Sequence, residues 1–507
     1  MSGTRKIAAL ALCLLSIAAY SRSTTATQKL ISDYTGKEPL RSGITGILAV
    51  RASGDTLAQF NRSVKLVPAS NVKLITTGLA LERLGADWRF RTTLAYSGYV
   101  TGGVLHGDLY IVGGGDPTTG SGRNCAFPAD STFGKWKAIL VNAGIKHIEG
   151  RVIGDGRLFA RPATHPSWQS EDLGYNYGAG VSGLNFFENS QNFRVMPGTE
   201  GQAPTFETIY PLTPWMSWTV SAVTGPARSP NTIYCINSEF GPWGEFFGTF
   251  PSDRTRGYTL EGSNRFGAFT CAYYFYKYLD FNEIAVDGGY ADISPRGLIR
   301  TDLLYSDIGS TAIPQDSLKV LGSSFSPALA AIVNDTNKES DNFFAESMFA
   351  AMGLEIKGST DPSEAVKAEE DLLRGMGVSP GNACSLSDGS GLSRKNYVSA
   401  EFFVRFLRKM LGSKSRRPYI ASLPSPGGQG TLKYRMQNAP DDIKSRIFMK
   451  SGSMNGVRSF SGYILPAPGE EDSRTVVFSI ITNNISGSSA TVASMIDDII
   501  LSLAKEP

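Results

Sequence analysis

The sequence predicts an α/β sandwich whose sheet begins near the N-terminus and is completed near the C-terminus. Three stretches predict it. Residues 43–51 and 56–61 read as neighbouring strands joined across Ser53-Gly54-Asp55. From Ser70 onward, Leu74, Ile75, Leu79, Ala80, Leu81 and Leu84 form an apolar surface broader than one stripe, the mark of a helix inside a domain, and Gly85 is its stop. Strands at 459–465 and 475–482, then a helix at 490–504 with Val492, Met495, Ile496, Ile499, Ile500 and Leu503 on one side, supply the rest.

At 507 residues there is room for about two to four domains. With 41% hydrophobic and 19% charged residues the composition is that of a folded chain, and a net charge of +3 gives no case for nucleic acid or a strongly acidic partner. Arg5 and Lys6 precede an apolar run at 7–20, and small residues ending in Thr24-Thr25-Ala26 offer a cleavage site. Residues 1–26 therefore read as a signal peptide, and the mature chain as exported to the periplasm or the outside of the cell envelope. The run is shorter than the roughly 20 residues a spanning helix needs. Peripheral attachment to membrane or cell wall, and the oligomeric state, stay open. Of the cysteines beyond the leader, Cys235 and Cys271 could pair, but free buried thiols at Cys125, Cys235, Cys271 and Cys384 are the plainer reading. With no Cys-x-x-Cys and histidines only at 106, 147 and 165, no metal and no cofactor is expected.

Between the two halves of the sheet the texture changes. Short strands at 90–100 and 104–112 lead to Gly113-Gly114-Gly115-Asp116-Pro117, which lacks the Gly-Lys-Ser/Thr ending of a phosphate loop and reads as a turn. A helix at 131–143 and a strand from 152 follow. Residues 200–265 are rich in Pro, Gly, Thr and aromatics, and Trp215, Trp218 and Trp243 there read as packing residues sooner than sugar platforms. Residues 96–310 are thus expected to form an insertion of two smaller, β-rich domains, leaving 27–95 and 311–507 as the catalytic part. Helices resume at 326–353 around Lys338-Glu339-Ser340-Asp341-Asn342, and Asp388 to Arg394 form a polar loop ahead of a helix at 400–410.

Three short patterns carry the chemistry. Ser70 and Lys73 stand three residues apart at the start of a buried helix, so the amine is within reach of the hydroxyl. A lysine relieved of its charge by burial can take a serine proton. Ser340-Asp341-Asn342 and Lys450-Ser451-Gly452 follow in order, separated from Ser70 and from each other by 270 and 110 positions. Ser-x-x-Lys, Ser-Asp-Asn and Lys-Thr-Gly in that order are the signature of penicillin-binding proteins and class A β-lactamases. The long first gap resembles the class C low-molecular-mass penicillin-binding proteins, the D-alanyl-D-alanine carboxypeptidase/endopeptidase family of the penicillin-binding protein 4 type. Tyr177-Gly178-Ala179-Gly180, Asp388 to Ser393, Gly430-Thr431-Leu432 and Lys450 to Gly456 are similar to the same family. Ser451 departs from it, standing where threonine is usual.

The resemblance implies an α/β (α+β) serine transpeptidase/β-lactamase-like domain, an antiparallel sheet flanked by helices and split by two inserted domains. It implies peptidoglycan stem peptides and β-lactam antibiotics as partners. Ser70 would be the nucleophile, Lys73 its base and Ser340 a proton donor to the leaving nitrogen. Asn342, Lys450, Ser451, Gly452 and Ser453 would bind substrate, with backbone N–H groups of Ser70 and Ser453 as oxyanion hole. One rival pattern, Gly377-Val378-Ser379-Pro380-Gly381, fails as an α/β-hydrolase elbow, because Pro380 has no N–H to offer an oxyanion. A non-catalytic peptidoglycan-binding scaffold would not need Ser70, Lys73, Ser340, Asn342 and Lys450 intact.

Overall fold

The computed structural model describes residues 25–506 apart from 160–163, 239 and 306–308. The expected signal peptide lies outside the described residues up to Thr24, and Thr25 already caps the first helix, accepting from the Gln28 N–H at 3.0 Å. The elements that position the site are helix α1 (Ala26–Thr35), strands β1 (Ile44–Arg51) and β2 (Thr56–Phe60), and helices α2 (Val72–Arg83), α3 (Leu329–Glu339), α4 (Asn342–Lys357), α5 (Pro362–Gly375) and α6 (Ala400–Leu411). Strands β3 (Ile447–Met454), β4 (Val457–Ile464) and β5 (Val476–Asn483) and helix α7 (Ser489–Leu503) complete the set.

The strands form one antiparallel sheet in the order β2-β1-β5-β4-β3. Both of its faces are covered, which is why central β5 is mostly apolar and is buried at every position. Side chains alternate between faces along each strand. Leu48, Val50, Tyr463, Val477 and Ile481 meet Leu74, Ile75, Ile332, Phe344, Phe402 and Phe406 of α2, α3, α4 and α6. On the other face Ile47, Ala49, Met449, Phe460, Phe478 and Ile480 meet Ile31 of α1 and Val492, Ile496, Ile499 and Leu503 of α7. Because Met449 points to the α1/α7 side, its neighbour Lys450 points to the α2 side.

Helix α6 shows how sequence makes these contacts. Ser399 caps it, accepting from the Phe402 N–H at 3.2 Å, Glu401 lies in the first turn, and Arg408 and Lys409 lie in the last, where they suit the helix dipole. Phe402, Phe403, Phe406, Leu407 and Met410 are buried, while Arg405, Arg408 and Lys409 face water.

The intervening material contains the expected strands, arranged in several sheets, and helices as well. A six-stranded sheet runs Ile299–Arg300, Tyr290–Ile293, Val152–Asp155, Leu109–Val112, Arg91–Tyr96 and Lys319–Phe325. Helices Ala129–Asn142 and Gly267–Phe281 pack on it through Phe133, Trp136, Cys271 and Phe275. Val152–Asp155 pairs parallel with its neighbour Leu109–Val112, and a parallel pair requires a crossover. The helix expected at 131–143 is the one at Ala129–Asn142, whereas the sequence reading has no counterpart to Gly267–Phe281. Arg91–Tyr96 and Lys319–Phe325 pair within this sheet, so hydrogen bonding extends it past the boundaries drawn from composition at 96 and 310. Two three-stranded sheets enclose a separate core of Phe193, Val195, Cys235, Phe246 and Leu260.

All four described cysteines are free thiols. Trp215 packs edge-on against Phe269 and Trp218 stacks on Phe246 with centroids 4.6 Å apart, whereas Trp243 is 52% exposed. Among the described residues no helix is long and apolar enough to cross a membrane.

Ile480 sits in the central strand with no exposed surface. Ile480→Ala should lose about 2–5 kcal/mol of unfolding free energy in denaturant titration. A loss below about 1 kcal/mol would contradict the packing described.

Candidate active site

Ser70 lies in a single 3-10 turn, Ala69–Asn71, that runs directly into α2. The regular helix starts two residues later than the sequence suggests, but the winding is continuous and keeps Ser70 beside Lys73. Ala69 is in the left-handed region at φ 47°, a strained setting for a residue with a Cβ, and it is held there by what surrounds the turn. On one side Gly452 of β3 abuts the turn. A Cβ at Gly452 would lie 2.6 Å from the Pro68 carbonyl oxygen and would also strike Ser459 Oγ, which donates to that carbonyl at 2.6 Å. On the other side Gly391, at φ 82°, would drive a Cβ into the Ala69 carbonyl. Two glycines thus let a strand and a loop clamp the turn that carries Ser70.

Lys73 is fully buried, and all three of its N–H bonds are used. Nζ donates to Ser70 Oγ at 3.0 Å, to Asn342 Oδ1 at 2.6 Å and to the Ser390 carbonyl at 2.7 Å. Asn342 presents its oxygen to the amine because its Nδ2 donates to the Tyr177 carbonyl at 2.9 Å. Burial pushes the Lys73 amine down from 10.5 to about 8, against the carboxyls of Asp388, Asp341 and Glu346, which hold the proton on. At pH 7 about one such amine in ten is neutral.

The neutral form has a direction built into it. Asn342 Oδ1 and the Ser390 carbonyl can only accept, so the two remaining N–H bonds stay with them. The freed lone pair then faces Ser70, the one partner of the three that carries a proton to give.

Ser340 and Asn342 reach the site from the joint between α3 and α4. Ser340 ends α3 in the left-handed region at φ 62°, and half-buried Asp341 caps α4 by accepting from the Phe344 N–H at 2.9 Å. The motif is thus a helix-to-helix turn that also aims two side chains at the cleft. Lys450 Nζ donates to Ser340 Oγ and to the Ser451 carbonyl, both at 2.8 Å. Burial, then repulsion from Lys73, pushes Lys450 well down. The two ammonium charges repel each other, and the carboxyls on the Lys73 side offset that repulsion for Lys73. Ser451 Oγ donates to Thr431 Oγ1 at 3.2 Å, and Ser453 pairs through its backbone with Arg458 of β4.

Two hydrogen-bonded groups thereby meet at the site, Ser70–Lys73–Asn342 and Ser340–Lys450, with Gly452 against the turn that carries Ser70. Sequence reasoning assigned no role to three further contributors. The Tyr177 carbonyl orients Asn342 and the Ser390 carbonyl holds Lys73. Asp388 pins the loop by accepting from the N–H groups of Gly391 at 2.8 Å and Ser393 at 2.7 Å. Tyr177 and the 388–393 loop were visible only as family-like stretches, since backbone carbonyls leave no residue-type signal. That loop also does not open α6 directly, for the strand Tyr397–Ser399 intervenes.

A model of the D-Ala-D-Ala carboxypeptidase 3 (S13) family matches residues 27–241 and 304–505. The chain belongs to that family. It is accordingly a serine-type D-Ala-D-Ala carboxypeptidase, a hydrolase acting on peptidoglycan. A D-alanyl-D-alanine carboxypeptidase of Actinomadura sp. (strain R39) is 29% identical over 462 residues, 88% of this chain and 79% of that one. The crystal structure of penicillin binding protein 4 (dacB) from Haemophilus influenzae shares the fold with a TM-score of 0.76. The match covers 94% of this S13 chain and 99% of the other at 21% identity. A second structure of that protein, complexed with a β-lactam, matches with a TM-score of 0.71 at 20% identity over 94% and 99% of the two chains.

If Gly391 is required for close approach to the Ser70 turn, Gly391→Ala should cut carboxypeptidase kcat/KM by about tenfold or more and lower Tm. Unchanged kinetics would show that the loop does not set the turn.

Proposed function

We propose that Ser70 is the acylated nucleophile of this carboxypeptidase and Lys73 the base that activates it. The observation that carries this reading is the placement of a buried amine with two acceptor-only partners and one hydroxyl. Lys73 removes the Ser70 proton as Oγ attacks the carbonyl of the penultimate D-alanine. The backbone N–H groups of Ser70 and Ser453 receive the developing oxyanion. As the C–N bond breaks, Ser340 passes a proton to the departing D-alanine nitrogen and recovers one from Lys450, which donates to its Oγ at 2.8 Å. Asn342 holds the substrate amide. Lys450 and Ser451 bind the terminal carboxylate, whose charge favours the Lys450 ammonium that burial disfavours. Water then hydrolyses the ester.

A β-lactam enters by the same attack, with its ring amide as the bond that opens, and deacylates slowly because the leaving nitrogen stays attached. A cross-linked stem peptide presents the same D-alanyl carbonyl, so endopeptidase action belongs to the same reading. We also propose export to the cell envelope, from the leader-like N-terminus. The chain divides into a catalytic part and an insertion of two smaller bodies, with the paired strands Arg91–Tyr96 and Lys319–Phe325 going with the insertion.

Intact-mass measurement after incubation with benzylpenicillin should show one added ligand on the parent and none on Ser70→Ala. Lys73→Arg keeps a cation that does not lose its proton under ordinary conditions, and should abolish acylation while the protein stays folded. Labelling of Ser70→Ala would move the nucleophile elsewhere. A Lys73→Arg protein acylating at the parent rate would remove Lys73 as base.

A further inference from the structure

Behind Lys73 lie buried carboxyls that the reaction as described does not use. Asp388 is fully satisfied by loop N–H groups, by Asn396 Nδ2 at 2.7 Å and by Trp168 Nε1 at 2.8 Å. Glu346 is different. It sits on α4 four residues beyond Asn342, 5% exposed, and its Oε1 accepts from the Ser390 N–H at 2.7 Å. The carbonyl of that same Ser390 accepts from Lys73 Nζ at 2.7 Å. Helix α4 therefore grips the amine twice, directly through Asn342 in its first turn and one turn later through Glu346 and Ser390. The loop is pressed onto the helix at this point. A Cβ at Gly389 would lie 2.5 Å from Phe349 Cβ and 3.1 Å from the Ala345 carbonyl, and Thr76 Oγ1 of α2 donates to the Gly389 carbonyl at 2.8 Å.

We propose that Glu346 is a positioning residue for the Lys73 base: it fixes the acceptor carbonyl of Ser390 and places an ionisable carboxyl where its charge holds the proton on the amine. The inference rests on the reading of Lys73 as base. Without a fixed Ser390 carbonyl the neutral amine loses one of the two acceptors that turn its lone pair toward Ser70.

The carboxyl also titrates in the same range as the amine. Burial and then Asp388 push Glu346 up to about 8, beside Lys73 at about 8. The groups facing Lys73 are Asp388, Asp341, Glu346 and Lys450, and those facing Glu346 are Asp388 and, from α5, Glu369, itself pushed up to about 8 by burial. As pH rises, an ionising Glu346 favours the ammonium form of Lys73 and so opposes formation of the base. Replacing it by glutamine keeps the shape and the acceptor oxygen while removing the charge, so the amine gives up its proton at lower pH.

The test is single-turnover acylation by a chromogenic β-lactam between about pH 6 and about pH 10 on the parent, Glu346→Gln and Glu346→Ala. For Glu346→Gln the plateau rate should stay within about twofold of the parent, with the midpoint of the rising limb about half a pH unit or more lower. Glu346→Ala, which removes the acceptor as well, should lose about tenfold or more at the plateau, and its rescue by glutamine separates positioning from general destabilisation. A glutamine midpoint that coincides with the parent's, or an alanine variant with the parent's plateau, overturns the proposal. Parent protein that is not acylated at all overturns the reading of Ser70 and Lys73, and this inference with it.

Discussion

Everything at this site depends on keeping one amine out of water between partners of the right kind. Lys73 is offered two carbonyl oxygens and one hydroxyl. A charged amine satisfies all three, and a neutral one satisfies the carbonyls and turns its lone pair to the hydroxyl. Dehydration lowers the cost of losing the proton, and the partner chemistry decides where the vacancy points. Neither effect alone would suffice. A lowered amine among three hydroxyls would have no preferred direction, and the same partners around a solvated amine would hold it as an ammonium.

The rest of the fold can be understood as delivery of those partners. The buried helix α2 supplies Ser70 and Lys73 from one turn. The alternation along β3 sends Met449 into one core and Lys450 to the catalytic face, where it meets Ser340. The α3–α4 joint supplies Ser340 and Asn342, and Asp341 between them starts the second helix by accepting from the Phe344 N–H. Close approach is then a matter of missing Cβ atoms: Gly452 admits the strand and Gly391 the loop to the same strained turn. The inserted material reaches in as well, since the Tyr177 carbonyl decides which end of the Asn342 amide the amine sees.

Much of this was legible in the sequence, and what was not has a physical reason. Strands β1, β2, β4 and β5, helices α2, α6 and α7 and the five polar side chains of the site are written in periodicity and in short motifs with fixed residue types, whereas α1 and α5 are not. The contributions of Ser390 and Tyr177 are made by backbone carbonyls, which every residue has. Glu346 looks in sequence like one acid among apolar helix residues. Only the packing of the 388–391 loop on α4 shows that it is buried and what it holds. The helix at 131–143 is legible, but Gly267–Phe281 is not, because aromatic-rich composition reports on cores and not on whether paired strands run parallel and so demand a crossover. Composition changes gradually around 96 and 310, whereas the strand pairing between Arg91–Tyr96 and Lys319–Phe325 is sharp and is visible only in the structure.

The most direct test of the account is the titration of the Lys73 amine itself. Protein with ¹⁵N-labelled lysine side chains, with Lys73→Arg to assign the signal, can be followed by heteronuclear NMR as pH is raised. The account predicts a Lys73 midpoint near 8 in the ligand-free enzyme. A midpoint near 10.5, the value of an ordinary lysine, would mean that burial does not prepare this amine to be a base, and would contradict the account at its centre.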